Sequence, residues 1–408
     1  MPSAFPSRSP LARAALPPPL RPDQRRQRWP WWPLLPLYPY GQRRTLIREL
    51  IPGQLWSFEQ LQGVFYVAVP IRMTVVRVAA GLMLYAPVAP TLEVVEALRE
   101  LEERHGPVVT IVLPTSSGLE HKVPVPAMAR AFPRAEVWVT PRQWSFPVSL
   151  PASWLGFPPG RTRQLFEQGV PHDRELHWQA LGPVDLGLGT FLEAACLHRA
   201  SGTLLVCDGL VAIGDQPPAL FDADPRPLLF HARERGDEPL LDSPERRRRG
   251  WHRLVLFASY LRPARLLVPG WREVLAQALR PGLRRPEAYF GVYPFRWAEG
   301  WEAEFRALVP EGAPVVQVAP VLERLVLPRQ RGALLHWLRR LADQPELRWL
   351  VAAHHEAPVP CQPTDLSRLA EAIERRPWAP EQGSWSYLAG IDRTLLRLGV
   401  VPAESADM

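Results

Sequence analysis

The chain carries only three cysteines, Cys196, Cys207 and Cys361, among 408 residues. So few, so widely spaced, form neither a CxxC metal pair nor a disulfide framework. A reducing, cytoplasmic compartment is the expected setting. Lysine is scarce as well, since almost every basic side chain is Arg and Lys122 is a rare exception. Long apolar runs are missing. The most apolar stretch, residues 64–88, is interrupted by Pro70, Arg72 and Arg77, whereas a spanning helix needs about 20 uninterrupted apolar residues. Residues 30–41 are apolar but hold four prolines, which a helix cannot accommodate. No signal-peptide core with a small-residue cleavage site follows Met1. Nor is there a Gly-rich phosphate loop or a dinucleotide fingerprint.

Charge is abundant but unevenly placed. The net charge is +7 and the isoelectric point about 9.7. Eight of the 48 basic residues and one of the 41 acidic ones, Asp23, lie in residues 1–45, so the remaining 363 residues carry 40 of each sign. A neutral body has no broad phosphate-binding face, and no specific nucleic-acid partner is expected. Weak contact with an anionic surface would have to come from the Pro/Arg-rich arm, which otherwise reads as a solvated, mostly disordered tail. Its aromatics, Trp29, Trp31, Trp32, Tyr38 and Tyr40, suggest that part of it packs on the body.

What remains is an ordinary globular mixture, 47% hydrophobic and 22% charged. Between Leu55 and Tyr85, Val- and aromatic-rich segments broken by turn residues predict strands. Thr91 caps a predicted helix with Leu92, Val95, Leu98 and Leu101 at helical spacing, ended by Gly106. A strand over 108–113, the loop Pro114–Lys122, a short helix over 125–131 and a strand over 135–140 follow. This alternation belongs to an α/β layer fold. A Pro- and Gly-rich excursion over 141–190 precedes a hairpin turning at Ser201-Gly202. Residues 216–300 read as mainly helical, and 312–320 and 347–354 as later strands. The expected division is an arm over 1–45, a domain over 46–375 containing the helical insertion, and a tail over 376–408.

The strand VTIVLP and the loop after it resemble the metallo-β-lactamase superfamily, whose members carry T-H-x-H-x-D-H directly after such a strand. Here the run is Thr115-Ser116-Ser117-Gly118-Leu119-Glu120-His121. Thr115 matches, Ser116 and Gly118 stand in place of two His, Glu120 stands for Asp, and His121 is kept. The family's next His would fall near Gly189 or Thr190, where there is none. TLLVCDGLV is similar to the family's strand ending in a bridging Asp, which gives Asp208. RWLVAAHHEAP is similar to its strand ending in His, which gives His354, with His355 as the register alternative. The resemblance covers residues 43–360. The runs PTSSGLEHK, QWSFP, SWLGFP, LLFHAR and FRW also look similar to a branch of that superfamily, seen mainly in oxygenic phototrophs, whose domain has no assigned activity.

The resemblance implies a four-layer αββα sandwich and sorts the losses by metal. The three His of one metal are absent, while Glu120, His121, Asp208 and His354 fill the four roles of the other. Two imidazoles and two carboxylates suit one divalent zinc, iron or manganese. The implied activity is that of a one-metal hydrolase acting on a small molecule or ester. The competing expectation is a degenerate relative that holds no metal and acts as a binding or structural protein. In that case the Lys122 ammonium would pair with Glu120 or Asp208. Ser116 and Ser117 read first as loop residues bonding to the backbone. His231 is a candidate for the pocket lining. The run Glu245–Arg249 reads as a solvated helix face, and Trp144, Trp154, Trp251, Trp297 and Trp301 as core.

Overall fold

The β signal between Leu55 and Tyr85 becomes the backbone of a large sheet in the computed structural model. The structure describes all residues except 1–24, 29–36, 39, 40, 65, 66, 144–149, 188, 240, 280–282, 284–290, 377 and 404–408. Leu55–Val64 and Val67–Val78 form a long antiparallel pair, and Gly81–Tyr85 continues it. From there the pairing turns parallel, through Val108–Leu113 and Glu136–Val139 to Thr162–Gln164. Leu46–Ile51 and Leu37–Tyr38 share the free edge of Leu55–Val64, completing eight strands.

Parallel neighbours require crossovers. The first is the helix Leu92–His105, where Thr91 Oγ1 accepts from Val94 N at its start and Gly106 closes its end at a φ of 92°. A second sheet of five strands runs Val359–Pro360, Trp349–Ala352, Thr203–Val206, Thr190–His198, Leu176–Asp185. Its only parallel pair, Thr203–Val206 with Trp349–Ala352, sets two strand ends side by side.

The apolar faces of the two sheets meet. Val76, Met83, Tyr85 and Val112 of the first pack with Ala194, Cys196, Leu205 and Val351 of the second. The helices Leu92–His105 and Val125–Ala131 cover the outer face of the first sheet. Arg331–Ala342 and Pro363–Arg375 cover that of the second. The chain is therefore a mixed α/β protein in four layers, helix, sheet, sheet, helix. Each apolar face is buried once, as layer architectures require.

Between the second sheet's Thr203–Val206 and Trp349–Ala352, residues 216–300 hold the helices Leu220–Ala223, Arg226–His231, Pro244–Tyr260 and Trp271–Ala278. Ser243 Oγ caps the longest of them by accepting from Arg246 N, and proline occupies its first turn, the position that proline tolerates. Glu245, Arg248 and Arg249 of the Arg run are exposed, as expected of a solvated helix face, and Arg247 alone is buried. Arg247 is buried against Asp242 and Asp222, Arg248 pairs with Asp215, and Arg249 with Glu234. These cations are paired by acids of the insertion and by Asp215 just before it. Trp251, Trp297 and Trp301 are buried as expected, but Trp154 is exposed, and Trp144 lies outside the described residues.

The described parts of the N-terminal arm lie on the body. Tyr38 is buried, its hydroxyl bonded to Asp224, and Arg26 pairs with Glu96. Residues 1–24, which carry three of the arm's arginines, lie outside the description. No helix among the described residues is long and apolar enough to cross a membrane.

Candidate metal centre

Three strand ends bring the candidate ligands together. Val108–Leu113 delivers the loop with Glu120 and His121, Thr203–Val206 delivers Asp208, and Trp349–Ala352 delivers His354. Two isolated antiparallel bridges, Ile71 with His354 and Thr115 with Glu193, tie these loops to the opposite sheet. Glu120, Asp208 and His354 offer donor atoms that all lie within 4.8 Å of one another. His121 stands beside this triad rather than inside it, its ring centroid 5.8 Å from that of His354.

Gly118 makes the turn possible. Its φ is +63°, and a Cβ there would come within 2.8 Å of Glu120 Oε1. The positive φ therefore favours glycine, and a Cβ there would push the Glu120 carboxylate aside.

The hydrogen bonds fix the chemical state of both imidazoles. His121 Nδ1 is 3.0 Å from Pro87 O, and His354 Nδ1 is 3.1 Å from Pro70 O. A carbonyl oxygen can only accept, so each Nδ1 carries a proton and each Nε2 is free to accept, that of His354 facing Asp208. Metal-ligating histidines are oriented by this same kind of bond. His354 Nε2 lies 3.2 Å from Asp208 Oδ1 and 3.8 Å from Glu120 Oε1. His121 Nε2 is buried and has no hydrogen-bond partner, a costly condition for a polar atom in the interior.

Electrostatics separate the two rings. Complete burial holds His121 below the usual histidine range against the opposing pull of Glu120, so its ring is neutral. Burial also disfavours charge on His354, but the Asp208 carboxylate outweighs it and raises its pKa. Asp208 is itself held down to about 2, because the bonds from His354 and Thr115 overcome its burial. Metal binding at such a site competes with protonation of His354 Nε2.

The carboxylate of Asp208 is further placed by Thr115 Oγ1 at 2.8 Å and Ser117 Oγ at 3.2 Å, both donating to Oδ2. Its backbone is fixed by Glu193, which is buried and accepts from the amides of Cys207, Asp208 and Gly209 at 2.7, 2.9 and 2.7 Å. Burial, followed by the charge of Asp208, pushes the Glu193 carboxyl up to about 7. Sequence reasoning missed Glu193, although a lone acid inside the apolar run TFLEAACLH was a legible signal. It also missed Arg72, whose guanidinium pairs with Glu59 and donates to the carbonyls of Ala352 and His355, on either side of His354.

The other expected residues fall into different places. Lys122 does not pair with the carboxylates. Its ammonium donates to Ser116 O at 2.9 Å and Gln143 O at 2.7 Å, because residues 119–122 form a helical turn that points Lys122 back along the loop. Ser116 Oγ donates to Thr190 O at 2.7 Å and accepts from Leu192 N at 2.8 Å, a backbone-bonding role. His231 is fully buried, packed on Phe230, Phe257 and Phe295, and stands behind the cavity wall rather than lining it. His355 takes a φ of +58°, and its ring turns towards Trp251, 5.9 Å away. Burial drives its pKa down to about 3. The register is thus the one that places His354 in the site.

A two-lobed cleft opens at this point. A cavity of about 610 Å³ is lined by Glu120 and His354 together with Val69, Ile71, Phe257 and Phe295. A second, of about 300 Å³, is lined by the same two residues together with Ser117, Asp208, Ser259 and Pro320.

The chain is similar to solved structures that include a metallo-β-lactamase from Pontibacter korlensis, at 11% identity over 40% of this chain and 71% of that one, with a TM-score of 0.30. Another is a metallo-β-lactamase from Hirschia baltica, at 10% identity over 52% of this chain and 97% of that one, with a TM-score of 0.32. Among curated proteins no match is found. The family model described as a domain of unknown function (DUF4336) matches residues 52–371.

Proposed function

The chain belongs to the DUF4336 family, and from that premise we propose that it is a one-metal hydrolase acting on a small molecule or ester. The observation that carries the reading is the convergence of Glu120, Asp208 and His354, whose donor atoms lie within 4.8 Å of one another, with the buried Nε2 of His121 beside them. A buried nitrogen lone pair next to two carboxylates and a second imidazole is a donor set that fits a divalent cation. Zinc, iron and manganese all accept such a mixture of nitrogen and oxygen donors. When bound, the cation would supply Lewis acidity and activate a water for attack.

The chain's own residues have separate tasks. Pro87 O and Pro70 O keep the two imidazoles in the tautomer that presents Nε2. Thr115 and Ser117 orient Asp208, and Glu193 anchors the loop that carries it. Glu120 lies at the junction of the two lobes, where its carboxylate can orient a water or accept a proton from one. The apolar wall of the larger lobe limits water access and strengthens electrostatic effects inside it. The buried free thiols Cys196, Cys207 and Cys361 fit a reducing, cytoplasmic compartment.

Elemental analysis of the purified protein tests this reading. The expected result is about one equivalent of a transition metal in the wild type, lost in both His121→Ala and His354→Ala, with proton release on loading. A wild type that takes up no metal, even after reconstitution, would overturn the hydrolase reading and leave a binding or structural protein.

A further inference from the structure

The two lobes of the cleft differ in chemistry, and the difference bears on the substrate. Glu120 and His354 line both, as do Val69 and Ala258, so the lobes meet at the candidate metal centre. The larger lobe is walled by Phe230, Phe257, Phe295, Val292 and Trp271, most of them supplied by the insertion. Among its described lining residues the only ionisable groups are Glu120 and His354. Phe257 and Phe295 meet edge to face at 5.4 Å, and Phe230 and Phe295 at 6.1 Å. Such a wall offers ring faces and edges to a flat apolar guest. The smaller lobe holds hydroxyls from Ser117 and Ser259 and the Asp208 carboxylate. It has half the volume and several hydrogen-bonding groups.

A cavity of several hundred Å³ with apolar walls and a few converging polar groups is the usual form of a small-molecule site. Here the polar groups stand at the waist, where the two lobes join. An anionic body would have no partner in the larger lobe, and a bulky one would not fit the smaller.

We propose that the substrate is an uncharged ester whose apolar, ring-sized moiety fills the larger lobe, whose carbonyl lies at the Glu120–His354 waist, and whose short remaining moiety enters the smaller lobe. This assignment rests on the one-metal hydrolase reading for its chemistry but not for its binding. In the reaction the oxygen of water bonds to the ester carbonyl carbon, and the bond from that carbon to the alcohol oxygen breaks. The alcohol oxygen takes up the proton, which leaves a carboxylic acid and an alcohol.

The test uses the full chain with 2-naphthol as a fluorescent binding probe and 2-naphthyl acetate as the ester. The metal-free wild type should bind 2-naphthol. Val292→Trp, which fills only the larger lobe, should weaken binding at least tenfold and leave the metal equivalent unchanged. Trp271→Ala removes an exposed part of the wall without threatening the fold, and should weaken binding several-fold. Val321→Trp, in the smaller lobe, should leave 2-naphthol binding unchanged while raising KM for 2-naphthyl acetate in the loaded protein. A metal-loaded protein that binds no 2-naphthol would overturn the lobe assignment and leave the metal reading standing. Binding of 2-naphthol that is lost in Val292→Trp, in a protein that takes up no metal, would support the lobe while the hydrolase reading fell. Equal loss of binding in Val321→Trp and Val292→Trp would overturn the division into two lobes.

Discussion

The loop Pro114–Lys122 has two halves that meet the same cleft and solve opposite problems. In the first, the Ser116 hydroxyl, the Lys122 ammonium and the Gln143 amide nitrogen all bond within the chain. Ser116 Oγ bridges Thr190 O and Leu192 N, Lys122 closes on two carbonyls, and Gln143 Nε2 donates to Thr115 O and Thr140 O. In the second half, His121 Nε2 is buried without a partner and two carboxylates face an imidazole. The half that has closed over bonds mainly to backbone, with Gln143 Oε1 left unpartnered. A half that keeps a ligand's place retains donors that nothing in the chain uses. Unpartnered buried polar atoms also occur elsewhere, at His355 Nδ1 and Trp337 Nε1 for example, so what marks the open half is the convergence of Glu120, Asp208 and His354 beside His121 Nε2.

The largest expected effect lies beneath the open half. Glu59 and Arg72 form a buried ion pair, joined by Arg48, and Arg72 holds the carbonyls flanking His354. Glu59→Ala strands a buried guanidinium, and should cost about 3–5 kcal/mol in urea unfolding and lower the metal equivalent as the His354 turn loosens. Burial alone would raise the Glu59 carboxyl, but Arg72 and Arg48 outweigh it and hold it below its ordinary value near 4.5. The native state therefore binds fewer protons than the unfolded chain around that pH. This contribution is complete above about pH 4.5 and is lost as pH falls through the lowered pKa. The variant should show a flatter loss of stability on acidification than the wild type. An unchanged acid limb would remove Glu59 from this account.

The closed half predicts the reverse pattern, a loss of stability without a loss of metal. Lys122→Met removes two hydrogen bonds to loop carbonyls and should cost about 1–3 kcal/mol, with the metal equivalent kept. Should metal uptake fall as far as in His354→Ala, Lys122 would belong to the open half and the comparison would fail.

Much of this was legible in sequence because it depends on local periodicity. The alternation of strands and helices from Leu55 to Val139 follows from residue spacing and from the Thr91 and Gly106 signals. Asp208 and His354 come from the resemblance, which places ligands at the ends of such strands. What was not legible depends on long-range contact. Arg72 looked like an interruption in an apolar stretch, and only the fold shows that it reaches across to Ala352 and His355. Glu193 bonds to residues fourteen to sixteen positions away. The direction of Lys122 depends on the turn at 119–122, and the sequence alone allowed an ion pair with Glu120 or Asp208 equally well. The cavity wall comes from Phe230, Phe257 and Phe295, which the insertion folds back over the sheet edge.

The smallest expected effect gives the finest test of the two halves. Ser116 occupies the position where the resemblance would place a lost ligand, and its hydroxyl makes two bonds, both to the backbone of 190–192. Ser116→Ala leaves one carbonyl and one amide without that partner, at a cost of about 1 kcal/mol in urea unfolding. Ser116→His restores the family's residue type but not its environment. The position is nearly closed, and Thr190 and Leu192 leave a larger side chain little room. The His variant should therefore be less stable than the Ala variant and hold no more than the wild-type metal equivalent. A second equivalent in Ser116→His would mean that the closed half still has a metal site's shape, and that hydrogen bonding alone does not record which half has been lost.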